Sequence, residues 1–203
     1  MSKSFEEVLA SNHYFDRHFQ TEAVKVLPGE YYVSGPGPLM VTVLGSCVGA
    51  CIRDRVSGIG GMNHFMLPDD KREEDARVGS AMRYGDYAME ILINEVLKKG
   101  ARRSQLEAKL FGGGNVMQGF TQNIVGERNA RFAVDYLKTE GIPVVARDLM
   151  GNYPRKVYFF PADGRVLVRK LRTLRNDTIL EREMKYRQRL RQAPLAGDVE
   201  LFS

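Results

Sequence analysis

Long hydrophobic runs are missing from this 203-residue sequence, and cysteine and histidine, which build most covalent and metal frameworks, are scarce. No stretch approaches the roughly 20 apolar residues that cross a bilayer. The N-terminus, MSKSFEEVLA, has acidic residues where an export signal would have an apolar region, so export is not indicated. The two cysteines, Cys47 and Cys51, cannot make a disulfide framework. On one strand their Cα atoms would be about 13 Å apart, whereas a disulfide needs less than about 7 Å. A cytoplasmic location, where a thiol stays reduced, is therefore expected. Two cysteines and one nearby histidine fall short of a four-ligand zinc set, and His13 and His18, five apart in a segment read as helix, do not share a face to complete it. No metal is expected. Gly112-Gly113-Gly114 lacks the lysine and hydroxyl residue of a phosphate-binding P-loop, and no GxGxxG pattern occurs, so no nucleotide or other cofactor is expected either. Internal repeats are absent.

What is present is concentrated in residues 41–68, VTVLGSCVGACIRDRVSGIGGMNHFMLP. This run holds both cysteines and His64, and it reads as a thiol nucleophile with its base. Small apolar residues at 48–52 and apolar residues at 59–67 flank Asp54-Arg55-Val56-Ser57-Gly58, which has turn chemistry, so a β-hairpin is predicted. A register centred between Arg55 and Val56 sets Cys47 opposite His64, with Cβ atoms about 5 Å apart. Gly45 and Ser46 would place a backbone N–H and a hydroxyl beside the thiol, donors of the kind that hold an oxyanion. The competing reading makes Cys47 a small buried hydrophobe; Cys51, on the same face, is assigned to packing.

The coarse pattern along the chain mixes helices and strands. Residues 4–20 read as a helix with Phe5, Val8, Leu9 and Phe15 apolar; residues 23–33 and 39–44 as strands; 81–97 as a helix stopped by Gly100; 106–111 as a strand; 123–137 as a helix. A strand at 144–150 and a hairpin of 157–160 with 166–171 follow. The expected fold is α+β, a layered α/β arrangement of mixed β-sheets packed with helices in a single compact domain. That domain spans 22–171, with an N-terminal helical extension over 1–21 and a basic, helical or flexible tail over 172–203. Between residues 170 and 191, eight basic residues oppose three acidic ones, a net +5 that equals the charge of the whole chain. The tail reads as a solvated helix, or as a docking element for acidic protein surfaces or an anionic membrane face. Tyr186 is the only aromatic residue between residues 170 and 191, which argues against nucleic-acid binding.

These motifs resemble the CheD family, the chemoreceptor glutamine deamidases of bacterial chemotaxis. The resemblance runs through LGSCVGACIRD, GGMNHFMLP, LEAKLFGGGNVM, IVGERNARFAVDYL and ARDLMGNYPRKVYFFPADGRVLVRKL, in that order. It implies hydrolysis of a protein glutamine side chain to glutamate with release of ammonia, Cys47 as nucleophile, His64 as general base and Thr42 as third catalytic residue. By its residue type alone Thr42 is also an ordinary strand residue. The implied substrates are methyl-accepting chemotaxis receptors; no integral membrane segment is expected, and any membrane association would be peripheral, through the receptors. A CheC-type phosphatase is an implied further partner, and an adaptor or regulator that binds receptors or such a phosphatase, with little catalysis of its own, is the alternative reading.

Overall fold

The computed structural model describes residues 8–68, 78–116, 124–171 and 177–192. Eleven strands among them make two sheets. The first holds Val8–Leu9 (β1), Glu30–Ser34 (β4), Gly60–His64 (β7), Val48–Asp54 (β6), Leu106–Gly112 (β8) and Val144–Leu149 (β9), in that spatial order. The second runs Val166–Lys170 (β11), Arg155–Phe159 (β10), Leu39–Leu44 (β5), Thr21–Lys25 (β3) and Asn12–Asp16 (β2). Three helices, Val78–Lys98 (α1), Ile124–Thr139 (α2) and Asp177–Gln192 (α3), complete the α+β architecture.

The layering follows from side-chain alternation. On β6, Val48, Ala50 and Ile52 face α1 and α2, while Cys51 faces the second sheet; all seven residues of the strand are buried. Ala88, Met89, Leu92, Ile93 and Val96 of α1, at helical spacing, meet Ala130, Ala133 and Leu137 of α2 on that outer side. A second core, with Val24, Met40, Leu44, Met62, Phe111, Val157 and Phe159, fills the space between the sheets. Each such fully buried side chain contributes roughly 1.5–3 kcal/mol.

The expected N-terminal helix is not formed: among residues 8–20 the chain makes β1 and β2. Asp16 explains the change. Its Oδ1 accepts the N–H groups of His18 (2.9 Å) and Phe19 (3.2 Å), and Gln20 takes a φ of 51°, which turns the chain back so that β2 pairs antiparallel with β3. The strand expected over 23–33 divides at Gly29, whose φ is +80°, and contributes β3 to one sheet and β4 to the other. The predicted hairpin near the C-terminal end of the core is present as β10 and β11. Residues 69–75, DDKREED, which read from the sequence as a polar loop, lie outside the described residues.

Candidate active site

The period of two along each strand assembles the site between the sheets. On β5, Met40, Thr42 and Leu44 face inward, while Leu39 and Val41 face the opposite layer. On β7, Met62 and His64 face inward, and Asn63 points the other way, donating to Ala88 O of α1 and accepting from Ala50 N. Thr42 and His64 therefore meet across the inter-sheet core, with Thr42 Oγ1 2.8 Å from His64 Nδ1. The single Thr42 proton goes to Val26 O at 2.7 Å. The hydroxyl then has only lone pairs to offer, so Nδ1 carries the imidazole proton. Nε2 is left bare, buried and without a partner among the described residues.

Cys47 sits in the bend 45–47, where the chain crosses from the second sheet to the first. The sequence placed Cys47 directly opposite His64, and the observed register differs. The β6–β7 pairs are Cys51↔Met62, Ile52↔Gly61 and Arg53↔Gly60, with a bridge at Val48↔Phe65; His64 pairs with Glu30. Asp54 accepts Val56 N and Ser57 N, and Gly58 takes a φ of +72°, which centres the turn one residue later than expected. Moving the centre by one residue shifts each partner by two, so the face is preserved. Cys47 Sγ, a ring nitrogen of His64 and a carboxylate oxygen of Glu183 in α3 accordingly lie within 4.8 Å of one another.

The bend is fixed from behind. The carbonyls of Gly45, Ser46 and Cys47 accept from Gly114 N (2.7 Å), Asn129 Nδ2 (2.9 Å) and Gly113 N (2.7 Å). Only glycine serves at 112, where φ is +106° and a Cβ would stand 2.1 Å from Cys47 O. The triple glycine thus supports the loop that carries Cys47. With the carbonyls held, the three N–H groups point to the opposite side. There Glu183 Oε1 accepts from Gly45 N (2.8 Å) and Cys47 N (3.3 Å), and Oε2 accepts from Ser46 N (3.0 Å) and Ser46 Oγ (2.7 Å).

Burial dominates the electrostatics. It pushes the Cys47 thiol well above its ordinary range, and the Glu183 carboxylate adds to the rise. It lowers His64 to about 4, against the opposing attraction of Glu183. In this closed arrangement the pair is a thiol and a neutral imidazole. Cys47, His64 and Glu183 are also the only described residues grouped closely enough to suggest a metal site. All four acceptor positions of the Glu183 carboxylate are already taken by N–H and O–H donors, so none remains for an ion. Cys47 and Cys51 are both free and buried.

The five residues singled out from the sequence, Thr42, Gly45, Ser46, Cys47 and His64, are thus brought to one place. Two more were not found that way. Asn129 is fully buried and spans from Ser46 O to Leu67 N (2.9 Å). Glu183 was visible only as one acid in a basic tail.

A Cys–His pair beside a turn of backbone donors occurs in unrelated folds, and comparison with known proteins decides between them. The profile described as "CheD chemotactic sensory transduction" matches residues 66–170. Over 202 residues the chain is 60% identical to the probable chemoreceptor glutamine deamidase CheD 1 of Dechloromonas aromatica (strain RCB), covering both proteins completely. The chain belongs to the CheD family. Other relatives of the same name, CheD, are 59% identical in Janthinobacterium sp. (strain Marseille) over 203 residues and 60% identical in Thiobacillus denitrificans over 202, again with complete coverage of both chains. A solved structure, Bacillus licheniformis hypothetical protein YfiH, matches 74% of this chain and 64% of its own at 13% identity and a TM-score of 0.34, too slight a likeness to bear on fold or function. These full-length CheD relatives span the loop, His64 and α3, whereas the family profile begins just after His64.

Proposed function

We propose that this protein is a chemoreceptor glutamine deamidase that converts receptor glutamines to glutamate and releases ammonia. The observation that supports this most is the convergence of Cys47 Sγ and His64 on the three N–H groups of residues 45–47. In the reaction His64 Nε2 takes the thiol proton, and the sulfur attacks the glutamine Cδ. The developing oxyanion is held by the N–H groups of the bend. His64 returns the proton to the departing nitrogen, which leaves as ammonia. Water, deprotonated by the same imidazole, then hydrolyses the thioester and regenerates the thiol.

Thr42 fixes the ring so that Nε2, not Nδ1, faces this chemistry. Each turnover adds one negative charge to the receptor, a local electrostatic change of the kind that biases a signalling equilibrium. The substrates are the receptors' cytoplasmic portions, and no described helix is long and apolar enough to cross a membrane. The test is ammonia release from a purified chemoreceptor cytoplasmic fragment, with Cys47→Ala in parallel. Release by the wild type alone supports the reading, and no release by a folded wild type with a matched receptor removes it.

A further inference from the structure

The carboxylate in the site belongs to the protein itself. Glu183 is 2% exposed, in a helix whose neighbours on either side, Arg182 and Met184, are exposed. Its two oxygens take the four donors of Gly45, Ser46 and Cys47. A γ-carboxylate bound in this way has the shape and charge distribution of the glutamate left when a glutamine side chain has been hydrolysed. The rest of α3 is built to stay in place. Tyr186 and Leu190, one and two turns along the same face, are buried in the inter-sheet core, and the Tyr186 hydroxyl hydrogen-bonds that of Tyr84 on α1. With α3 seated, the cleft beside His64, between Val26 and Ile179, has a volume of about 20 Å³. That is space for about one water and none for a glutamine side chain.

We infer that α3 is an autoinhibitory plug, with Glu183 as an internal product mimic that must leave the 45–47 bend before a receptor glutamine enters. The inference rests on the deamidase reading for the identity of the excluded ligand, but the occlusion of Cys47 has its own readout. A docked α3 also leaves the thiol protonated, because burial disfavours a thiolate and the Glu183 charge beside it adds to that. Release of the helix removes that charge and opens the bend to solvent and to substrate together. The competing role for Glu183, positioning the catalytic pair for turnover, has the opposite consequence for rate.

The experiment uses the full chain with Glu183→Ala and, separately, Leu190→Asp, which loosens the far end of α3 without touching the bend. Folding is checked by circular dichroism. Two rates are measured: alkylation of Cys47 by iodoacetamide, resolved from Cys51 by peptide mass spectrometry, and deamidation of a receptor cytoplasmic fragment. Both variants are expected to alkylate at Cys47 about tenfold faster or more than the wild type, the effect of shifting a mostly closed population to an open one. Receptor deamidation should rise with it. Unchanged alkylation in both folded variants overturns the plug. Faster alkylation with slower deamidation in Glu183→Ala also overturns it, because Glu183 would then serve turnover. Faster alkylation with no deamidation by any form, the wild type included, leaves the occlusion standing and counts against the deamidase reading instead.

Discussion

Thr42 and His64 lie 22 residues apart on strands of different sheets, and their side chains meet at 2.8 Å in the space between those sheets. Because Thr42 spends its proton on Val26 O, this one contact decides which imidazole nitrogen is free to act as a base. Thr42→Val keeps the shape and removes the acceptor. It should lower kcat by about tenfold to a hundredfold with little change in KM, and Thr42→Ser should restore most of the rate. Steady-state ammonia release by the three forms checks this.

Asn129 should matter to stability and rate together. It is the sole described side chain tied to a carbonyl of the bend, and its other end satisfies Leu67 N. Asn129→Ala leaves both backbone groups buried and unpaired, at a cost of about 2–4 kcal/mol. Thermal denaturation should show Tm lower by about 5–10 °C, and the loosened bend should reduce kcat in the folded fraction.

Gly112→Ala is expected to be the most damaging small substitution in the loop. The left-handed backbone and the 2.1 Å approach of the new Cβ to Cys47 O leave no relaxed solution. Loss of soluble protein, or a Tm depressed beyond that of Asn129→Ala, is the outcome to look for.

The acid limb of stability should carry a signature of His64. Burial holds its pKa at about 4, below its ordinary value of 6.5. The unfolded chain takes up the proton as pH falls through 6.5, while the folded chain stays neutral until about 4. The stability held by the neutral ring is therefore complete above the ordinary value and declines across this window. Denaturant midpoints measured from pH 7 to 4 should fall less steeply for His64→Gln than for the wild type.

These residues also show what was legible beforehand. That Cys47, His64 and the donors of 45–47 come together was readable because they sit in one short run with turn residues between them. The register was displaced because Asp54 starts the turn late, a hydrogen-bond preference that apolar patterning does not record. The N-terminal helix failed for a related reason. Val8, Leu9 and Phe15 have helical spacing, yet all three are exposed, and the deciding residue was Asp16 at the turn. Glu183 escaped notice because counting charge averages over a helix. The available signal was its place in line with Ile179, Tyr186 and Leu190, the stripe that α3 turns to the core. Asn129 carried no signal of spacing at all, since its partners lie 83 and 62 residues away.

The most direct measurement is the intact mass of a chemoreceptor cytoplasmic fragment after incubation with the wild-type protein and, in parallel, with Cys47→Ala. Replacing NH₂ by OH should add about 1 Da per glutamine with the wild type and nothing with the variant. An unchanged mass with active, folded wild type, or an equal gain with Cys47→Ala, would contradict the assignment of a Cys47-dependent deamidase.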